Sequence, residues 1–475
     1  MSAPEGPLVI GVDSSTQSTK ALVVDAATGT VVAQGQSAHP AFPGPERETD
    51  PREWWRALES ALDQCGVAAR EAAAVSVGGQ QHGLVTLDAR GEPVRPALLW
   101  NDVRSAPQRD RLVEELGGTK AWAERTGSVP AASFTVTKWA WLRENEPEAA
   151  ASTAAVRLPH DYLTERLTGQ GTTDRGDASG TGWWSSATGS YDEEILRHVG
   201  LDPALLPRVL APGEAAGTVR PGLPLPEGAL VAPGTGDNMA AALGLGLLPG
   251  RPVLSLGTSG TVYAVSPHRS TDPSGTVAGF ADARGDWLPL ACTLNCTLAV
   301  DKVAALLGLD REAVEPGGDL ALLPFLDGER TPDLPYSSGL LTGLRHDTTP
   351  GQVLQAAYDG AVYALLRALD EVLDEDAARD TPLLLIGGGA KGTAWRETVR
   401  RLSGRPVQVP RAEELVALGA AAQAAGLLLG EDPAAVARRW GTADGPSYEA
   451  VQRDEQARDR LAATLSGADT LLRQR

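Results

Sequence analysis

Two stretches with the same pattern, far apart in the chain, constrain the fold more than any other feature of the sequence. In each, a short apolar run, a small polar turn and a second apolar run predict two antiparallel strands. The first spans residues 8–25 and adds a third strand to residue 34, and the second spans residues 251–265. The repeat predicts a duplicated domain, although two ordinary hairpins would give the same pattern.

Length and charge bound the possible classes of protein. The chain has 475 residues, 42% of them hydrophobic, which is enough for two cores, and we predict domains at 1–245 and 246–475. A net charge of −19 without a basic run argues against nucleic acid and anionic membranes as partners. The N-terminus lacks a basic region, the apolar run 415–429 is too short to span a bilayer, and three cysteines form no disulfide framework. We therefore expect a cytoplasmic protein.

A carboxylate lies where a predicted strand meets a predicted helix. The strand at 229–232 leads through Gly234 and Gly236 to a helix at 239–247, which places Asp237 beside the helix N-terminus. Glycines let a ligand approach the backbone closely, and the unpaired N–H groups of a helix N-terminus favour an anion. The pattern indicates a base that faces a phosphate, although an Asp N-cap after a glycine turn has the same sequence.

The polar turns at 13–19 and 257–261 carry Ser and Thr hydroxyls and backbone N–H groups that can hold phosphates. A third glycine-rich turn, Gly387-x-Gly389-x-x-Gly392, fits the dinucleotide-binding fingerprint, with Glu413 at the spacing of its acidic residue. A dehydrogenase would need a further doubly wound half after this motif, so we interpret the turn as a surface for an adenosine. No Walker A sequence occurs, and Cys292 and Cys296 lack the second pair of a zinc site.

Cap signals and hydrophobic periodicity place the helices. Asp50 followed by Pro51 predicts a helix that runs to about Cys65. Residues 84–87 and 93–100 predict a hairpin, and a charged stretch from about Tyr448 to Leu472 predicts a surface helix at the end of the chain. Further helices are predicted at 297–307, 350–373, 393–402 and 417–429.

In combination, these motifs resemble the FGGY family of carbohydrate kinases. The motifs that carry the resemblance follow the family order between residue 8 and about residue 430, at 79–83, 95–102, 133–145, 158–163, 174–180, 234–238, 328–332, 339–359 and 386–396. The chain departs from many members after Pro332, where it reads Asp333-Leu-Pro335. This departure affects the contacts of that loop and not the expected reaction.

The resemblance implies an α/β fold of two ribonuclease-H-like domains, of the actin/hexokinase type, with the active site in the cleft between them. It is closest to the members that phosphorylate xylulose, and so implies transfer of the γ-phosphate of ATP to the 5-hydroxyl of D-xylulose with Mg²⁺ present. A homodimer is also implied by the family and not by the sequence itself.

The resemblance also assigns roles to residues of this chain. Asp237 corresponds to the catalytic base and Asp13 to the acid that helps to hold Mg²⁺ and phosphate, and both are expected metal ligands. The expected sugar contacts are Asp237, Gln81, His82, Trp100, Asn101, Asp102 and Asn238. The expected nucleotide contacts are Ser14, Ser15, Thr16, Lys20, Gly257, Thr258, Ser259, Gly260, Gly388, Gly389 and Ala390.

Two alternatives remain open at this point. The first is another substrate within the same family, such as ribulose, gluconate or glycerol. The second is a protein of another class on this fold, such as a chaperone-type ATPase or a sugar-sensing regulator. The sequence contains no recognisable helix-turn-helix segment and no basic face, which counts against a DNA-binding regulator.

Overall fold

The chain groups into two compact units. The structure, a computed structural model, describes residues 4–40, 47–373 and 380–473. Unit 1 takes its described residues from Met1–Leu247, Pro267–Leu288 and Glu414–Ala443, and unit 2 from Leu248–Ser266, Pro289–Glu413 and Asp444–Arg475. The predicted domain limits, 1–245 and 246–475, stay a prediction, and packing adds to unit 1 two segments that follow residue 245.

The strands are short, and most belong to one of two mixed sheets. Their bounds are β1 Leu8–Ser14, β2 Ser18–Asp25, β3 Val31–Ala38, β4 Glu48–Thr49, β5 Ala72–Gly79, β6 Val85–Leu87, β7 Ala97–Leu98, β8 Ala155–Arg157, β9 Thr172–Asp174, β10 Trp184–Ser185, β11 Ser190–Tyr191, β12 Arg208–Leu210, β13 Gly217–Thr218, β14 Leu230–Val231, β15 Thr235–Gly236, β16 Pro252–Leu256, β17 Gly260–Ala264, β18 Ala278–Ala281, β19 Trp287–Thr293, β20 Ala321–Leu323, β21 Leu340–Thr342, β22 Leu383–Ile386, β23 Val407–Gln408 and β24 Ser447–Tyr448.

The helices range from single turns to a long helix in unit 2. Their bounds are α1 Pro51–Cys65, α2 Ala106–Glu115, α3 Gly118–Thr126, α4 Thr135–Asn145, α5 Pro147–Ser152, α6 Pro159–Thr168, α7 Arg175–Ala178, α8 Glu193–Val199, α9 Asp237–Gly244, α10 Thr297–Leu307, α11 Pro350–Val372, α12 Thr393–Ser403, α13 Leu415–Leu429, α14 Pro433–Trp440, α15 Glu455–Gly467 and α16 Asp469–Leu472. Short 3₁₀ turns lie at Ala68–Glu71, Pro203–Leu205 and Gly388–Lys391.

The sheet of unit 1 brings three separate chain segments to one edge. Its strand order is β13-β14-β5-β1-β2-β3, with β15 also paired to β5. Strand β1 runs antiparallel to β2 and parallel to β5, so Asp13 lies opposite Gly78 in the register. Because β15 is parallel to β5 and pairs Gly236 with Gly79, the start of α9 reaches the same edge.

Two helices cover this sheet, and the sequence explains why each forms. Asp50 caps α1 by accepting a hydrogen bond from the N–H of Arg52, with Pro51 at the first helical position, as predicted. Helix α13 packs on β1, β5 and α9 through small residues. A Cβ on Gly419 would lie 1.8 Å from the carbonyl oxygen of Ala240, so only glycine permits this approach.

Unit 2 repeats the local topology of unit 1. Strand β16 is antiparallel to β17 and parallel to β22, as β1 is to β2 and β5. Beyond these, β19 pairs with β17, and β23 and β24 extend the other edge. Helices α10 and α11 pack against one another, and α11 also packs on α12. The two sequence stretches that predicted a duplication therefore occupy equivalent places in two similar sheets.

One local prediction was wrong. Tyr448 does not begin a helix, because it pairs with Val407 as part of β24, and the C-terminal helix α15 begins at Glu455. The expected hairpin at 84–100 is present as two antiparallel bridges, Leu84 with Leu98 and Leu87 with Pro93, and its first arm also pairs with β8. The pairings of β24 and of β6 with β8 involve partners distant in sequence.

Each helix that the structure describes is too short or too polar to span a membrane by itself. Within the described residues, no single helix is long and apolar enough to cross a bilayer. Helices α13 and α14 reach that length and composition only as a pair, with a bend of 116° between them.

Candidate active site

Asp237 is the first residue of α9, directly after the glycine turn that ends β15. Its Oδ1 accepts hydrogen bonds from the backbone N–H of Asn238 at 2.8 Å and from the Asn238 side chain at 3.0 Å. Burial raises the pKa of Asp237 to about 7, and the negative charges of Asp13 and Asp177 add to the shift. A carboxyl group with this pKa exchanges protons readily near neutral pH.

Asp13 lies near the end of β1, at the same sheet edge as Asp237. Burial raises its pKa to about 7, with Lys20 lowering it and Glu414 raising it further. Its Oδ1 is buried and has no hydrogen-bond partner in the structure. Among the described residues, no group of three or more His, Cys, Asp and Glu side chains is placed to hold a metal ion. Asp13 and Asp237 therefore form a pair of carboxylates and not a complete protein cage.

Two of the predicted sugar-contact residues, Gln81 and Asn101, each have a buried polar atom without a hydrogen-bond partner in the structure. The Oε1 of Gln81 accepts from the Asn238 side chain at 3.0 Å, whereas its Nε2 is buried without a partner. The Oδ1 of Asn101 is also buried and unpartnered. Buried polar atoms are nearly always paired, so such orphans mark places that a polar ligand can fill.

His82 adopts a left-handed backbone conformation, with φ at 63°. Its ring stacks on Phe134 with centroids 4.7 Å apart, and its Nδ1 lies 2.7 Å from the carbonyl oxygen of Gly180. Its own carbonyl accepts hydrogen bonds from the Nζ of Lys138 at 3.1 Å and from the hydroxyl of Thr135 at 3.3 Å. A residue held in a strained conformation by several contacts has a fixed position.

Trp100 and Asp102 differ in solvent exposure and in the strength of their polar contacts. The indole of Trp100 is 41% exposed and donates a hydrogen bond to the Thr16 hydroxyl at 2.9 Å. Asp102 is buried and forms an ion pair with Arg104 at 2.7 Å. Although burial would raise the pKa of Asp102, the hydrogen bonds and charge of Arg104 outweigh it and hold the pKa below its usual value. Asp102 is therefore already engaged by Arg104.

The sequence analysis missed a buried ionic cluster around His160. Its Nδ1 lies 2.8 Å from Asp177 and its Nε2 3.2 Å from Asp161, with Asp174 at 3.9 Å. Burial alone would lower the pKa of His160, but these carboxylates raise it to about 9. The ring lies against two site segments, because a Cβ on Gly79 or Gly234 would come within 3.0 Å of a His160 atom. The clustering of Asp161, Asp174 and Asp177 in two of the motifs was the available signal.

Lys138 lies within the 133–145 motif, and the sequence alone predicted no role for it. It is fully buried at the start of α4, and burial lowers its pKa to about 7, with Asp102 opposing the shift. Its ammonium group donates to the carbonyl oxygens of His82 and Ser133. The lysine thus supports the backbone of a predicted sugar-contact residue.

Most polar side chains of the first polar turn already have partners within the protein. The hydroxyl of Ser15 donates to the carbonyl of Ser18 at 3.0 Å, and the hydroxyls of Ser14 and Thr19 lie 3.2 Å apart. Lys20 forms an ion pair with Glu414 at 2.7 Å. Thr16, by contrast, contacts only the indole of Trp100 among the hydrogen bonds described for its side chain.

The predicted nucleotide residues of unit 2 lie at the ends of β16 and β22. Leu256 pairs with Gly260, which leaves residues 257–259 as the turn, and Thr258 and Ser259 are exposed at its tip. The hydroxyl of Thr297, at the start of α10, donates to the carbonyl of Gly257 at 2.8 Å.

The glycine turn after β22 lies next to the same strand, β16. A Cβ on Gly389 would come 2.8 Å from that of Leu256, so Gly389 and the buried Ala390 pack tightly. Gly388 is exposed, and a Cβ there would meet no atom within 4 Å. Gly388 therefore presents open backbone, as the expected adenosine surface requires.

The sequence matches one family along most of its length. Residues 8–244 match the N-terminal domain of the FGGY family of carbohydrate kinases, and residues 253–427 match its C-terminal domain. The chain is 79% identical over 474 residues to xylulose kinase from Streptomyces rubiginosus, covering 99% of this chain and 98% of that one. It is 78% identical to xylulose kinase from Streptomyces coelicolor, with the same coverage of both chains.

The fold is also similar to that of solved structures. The crystal structure of xylulose kinase from Bifidobacterium adolescentis is 38% identical, with a TM-score of 0.86 over 97% of this chain and 99% of that chain. The predicted two-domain α/β fold of the actin/hexokinase type is confirmed by this match. The predicted location of the active site in a cleft stays a prediction.

Proposed function

The chain belongs to the FGGY family of carbohydrate kinases, and we propose that it transfers the γ-phosphate of ATP to the 5-hydroxyl of D-xylulose, forming D-xylulose 5-phosphate. The observation in the site that carries the proposal is the buried carboxyl group of Asp237, whose pKa is raised to about 7 and which accepts a hydrogen bond from the Asn238 side chain. The 79% identity to a xylulose kinase over nearly the whole chain supports the choice of sugar.

In this proposal Asp237 is the general base. A sugar hydroxyl is a poor nucleophile at neutral pH, and a carboxylate within hydrogen-bond reach accepts its proton as it attacks the phosphorus. A pKa of about 7 keeps about half of the carboxyl groups ionised at neutral pH while making the ionised group a stronger base than ordinary Asp. The hydrogen bonds from Asn238 hold the carboxylate in place.

The sugar hydroxyls are the ligands that would satisfy the polar groups around Asp237. The Nε2 of Gln81 can donate to a hydroxyl, and the Oδ1 of Asn101 can accept from one. Asn238, His82 and Trp100 complete the expected contacts. Asp102 acts differently in this proposal: through its ion pair with Arg104 it holds the 100–104 segment and does not take part in proton transfer.

ATP is the proposed donor, and Mg²⁺ is the proposed metal. The exposed Thr258 and Ser259 would bind phosphates, and Gly388, Gly389 and Ala390 would face the adenosine. Mg²⁺ fits Asp13 and Asp237, because the Asp13 Oδ1 has no partner and the two carboxylates repel one another. A kinase needs only one or two carboxylates for Mg²⁺, since phosphate and water supply the other ligands. When bound, the ion would neutralise charge on the transferring phosphoryl group.

A coupled assay of ADP release over a panel of sugars tests the substrate. The panel contains D-xylulose, D-ribulose, glycerol and gluconate, each with and without Mg²⁺. We expect the highest kcat/KM with D-xylulose and little ADP release without sugar. A higher kcat/KM with another panel member would replace the substrate, and sugar-independent turnover would favour an ATPase. The cytoplasmic location and the homodimer also stay proposals, which fractionation and sedimentation would test.

A further inference from the structure

The position of Asp237 depends on the turn that precedes it. Strand β14 ends at Val231, β15 occupies Thr235–Gly236, and α9 begins with Asp237 itself. Gly234 lies inside this turn with φ at 74°, a conformation that few other residues adopt. Any movement of the Gly234 peptide shifts the start of α9, and with it the Asp237 carboxylate.

One side chain binds both polar backbone groups of Gly234. The Oε1 of Gln423 accepts from the N–H of Gly234 at 3.0 Å, and its Nε2 donates to the Gly234 carbonyl at 3.1 Å. The same Oε1 accepts from the hydroxyl of Ser76 at 2.6 Å. The amide therefore pairs with the turn as a neighbouring β-strand would, and it ties the turn to β5 through Ser76.

Gln423 is a polar residue in an otherwise apolar helix. It is 7% exposed and lies in α13 among buried alanines, glycines and leucines. Burying an amide is unfavourable unless its hydrogen bonds are made, and an alanine or leucine would suit the helix equally well. The structure shows how these hydrogen bonds are made, because they go to the turn and to the adjacent strand.

Two further contacts hold the same turn from other directions. The Thr235 hydroxyl donates to Asp174 at 2.7 Å, and Asp174 caps α7. The His160 ring lies so close to Gly234 that a Cβ there would be 2.7 Å from its Cδ2. Neither contact reaches the peptide groups of Gly234, which leaves Gln423 as their partner.

We infer that Gln423 is a positioning residue for the phosphoryl transfer proposed above, and that its amide holds the Gly234 peptide so that Asp237 stays within reach of the sugar hydroxyl. This inference rests on the proposed function. It adds a residue of α13 whose hydrogen bonds go to the Gly234 turn and to Ser76 of β5.

The variant Gln423→Met tests it, because Met keeps the length of the side chain and removes its hydrogen bonds. A displacement of a catalytic group by a fraction of an ångström to one ångström lowers kcat by about ten- to a hundredfold. We expect kcat with D-xylulose to fall by about tenfold. The KM for ATP and the sugar Kd measured by calorimetry should stay within about twofold of wild type, because the amide of Gln423 is engaged with Gly234 and Ser76 and not with a proposed ligand contact.

Ser76→Ala is the matched control. It removes a hydrogen bond to the same amide but leaves both contacts to Gly234, so its kcat should stay close to wild type. Gln423→Leu gives a second variant of similar size, which lacks both the donor and the acceptor for the Gly234 peptide groups, and its kcat should fall in the same direction.

The outcomes separate this inference from the proposed function. If wild type does not phosphorylate any panel sugar, the proposed function fails. If wild type is active and folded Gln423→Met keeps its kcat, the inference is overturned. An equal loss in Ser76→Ala, or loss of folding in both Gln423 variants, would also overturn it, because Gln423 would then serve the stability of α13 and not the position of Asp237.

Discussion

Asp237 places a carboxylate where the folded protein disfavours its charge, so removing that charge should stabilise the protein. Burial, Asp13 and Asp177 raise its pKa from 3.8 to about 7. Because the pKa is raised in the folded protein, the free-energy cost of ionising Asp237 is absent below the pKa of the unfolded chain and complete above about pH 7. The variant Asp237→Asn has nearly the same shape, and its amide oxygen can still accept the hydrogen bonds from Asn238.

The expected gain in the free energy of unfolding follows from the shift in the pKa of Asp237. About three pKa units at about 1.4 kcal/mol each set a ceiling of about 4 kcal/mol for the cost of ionising Asp237. The carboxylate is partly exposed, and solvent reduces this cost, so we expect a gain of about 2 kcal/mol at pH 8. For a unit of this size, that corresponds to an increase in Tm of roughly 4 °C.

Thermal unfolding of both proteins, without nucleotide, sugar or Mg²⁺, measures the gain. At pH 5.5 it should be about half of its value at pH 8, because part of the ionisation cost is already removed by protonation. Millimolar MgCl₂ should stabilise wild type more than the variant, since the ion relieves the same repulsion. A variant that is less stable than wild type at pH 8, or a gain that grows as the pH falls, would refute this reasoning.

Two further substitutions test the supporting residues. Lys138→Met should raise the KM for sugar by about tenfold, because the His82 carbonyl loses a hydrogen-bond donor. The Tm should not fall, because the substitution also removes an unfavourably buried cation. Steady-state kinetics with an unchanged KM for sugar would contradict this prediction. Gly388→Ala should raise the KM for ATP severalfold at unchanged Tm, since its Cβ meets no protein atom and would meet a nucleotide. Gly467→Ala, at another open position, is its control and should match wild type.

Local signals predicted the elements that depend on neighbours in sequence. The Asp50 cap and Pro51 located α1, and alternating apolar residues located the hairpins that begin each sheet. Local patterns also locate Asp13 near the end of β1 and Asp237 directly after β15, whereas the roles of these two residues stay predictions. The start of α9 was predicted two residues late, since Asp237 itself is helical.

Partners distant in sequence account for what was missed. The sequence assigned no role to Gln423, and only the packing of α13 on β5 reveals that it binds Gly234 and Ser76. The raised pKa of His160 depends on Asp174 and Asp177, which lie on another segment of the chain. The engagement of Lys20 with Glu414 likewise joins residues nearly 400 positions apart. Hydrophobic periodicity carries no information about such pairs.

A single-turnover measurement with Asp237→Asn tests the central claim most directly. Enzyme in excess over ATP is mixed with D-xylulose and Mg²⁺, and the formation of D-xylulose 5-phosphate is followed, with the Kd of each ligand measured separately. The loss of a general base should slow product formation by about 10²–10⁴-fold while both ligands still bind. Product formation at close to the wild-type rate would contradict the assignment of Asp237 as the base.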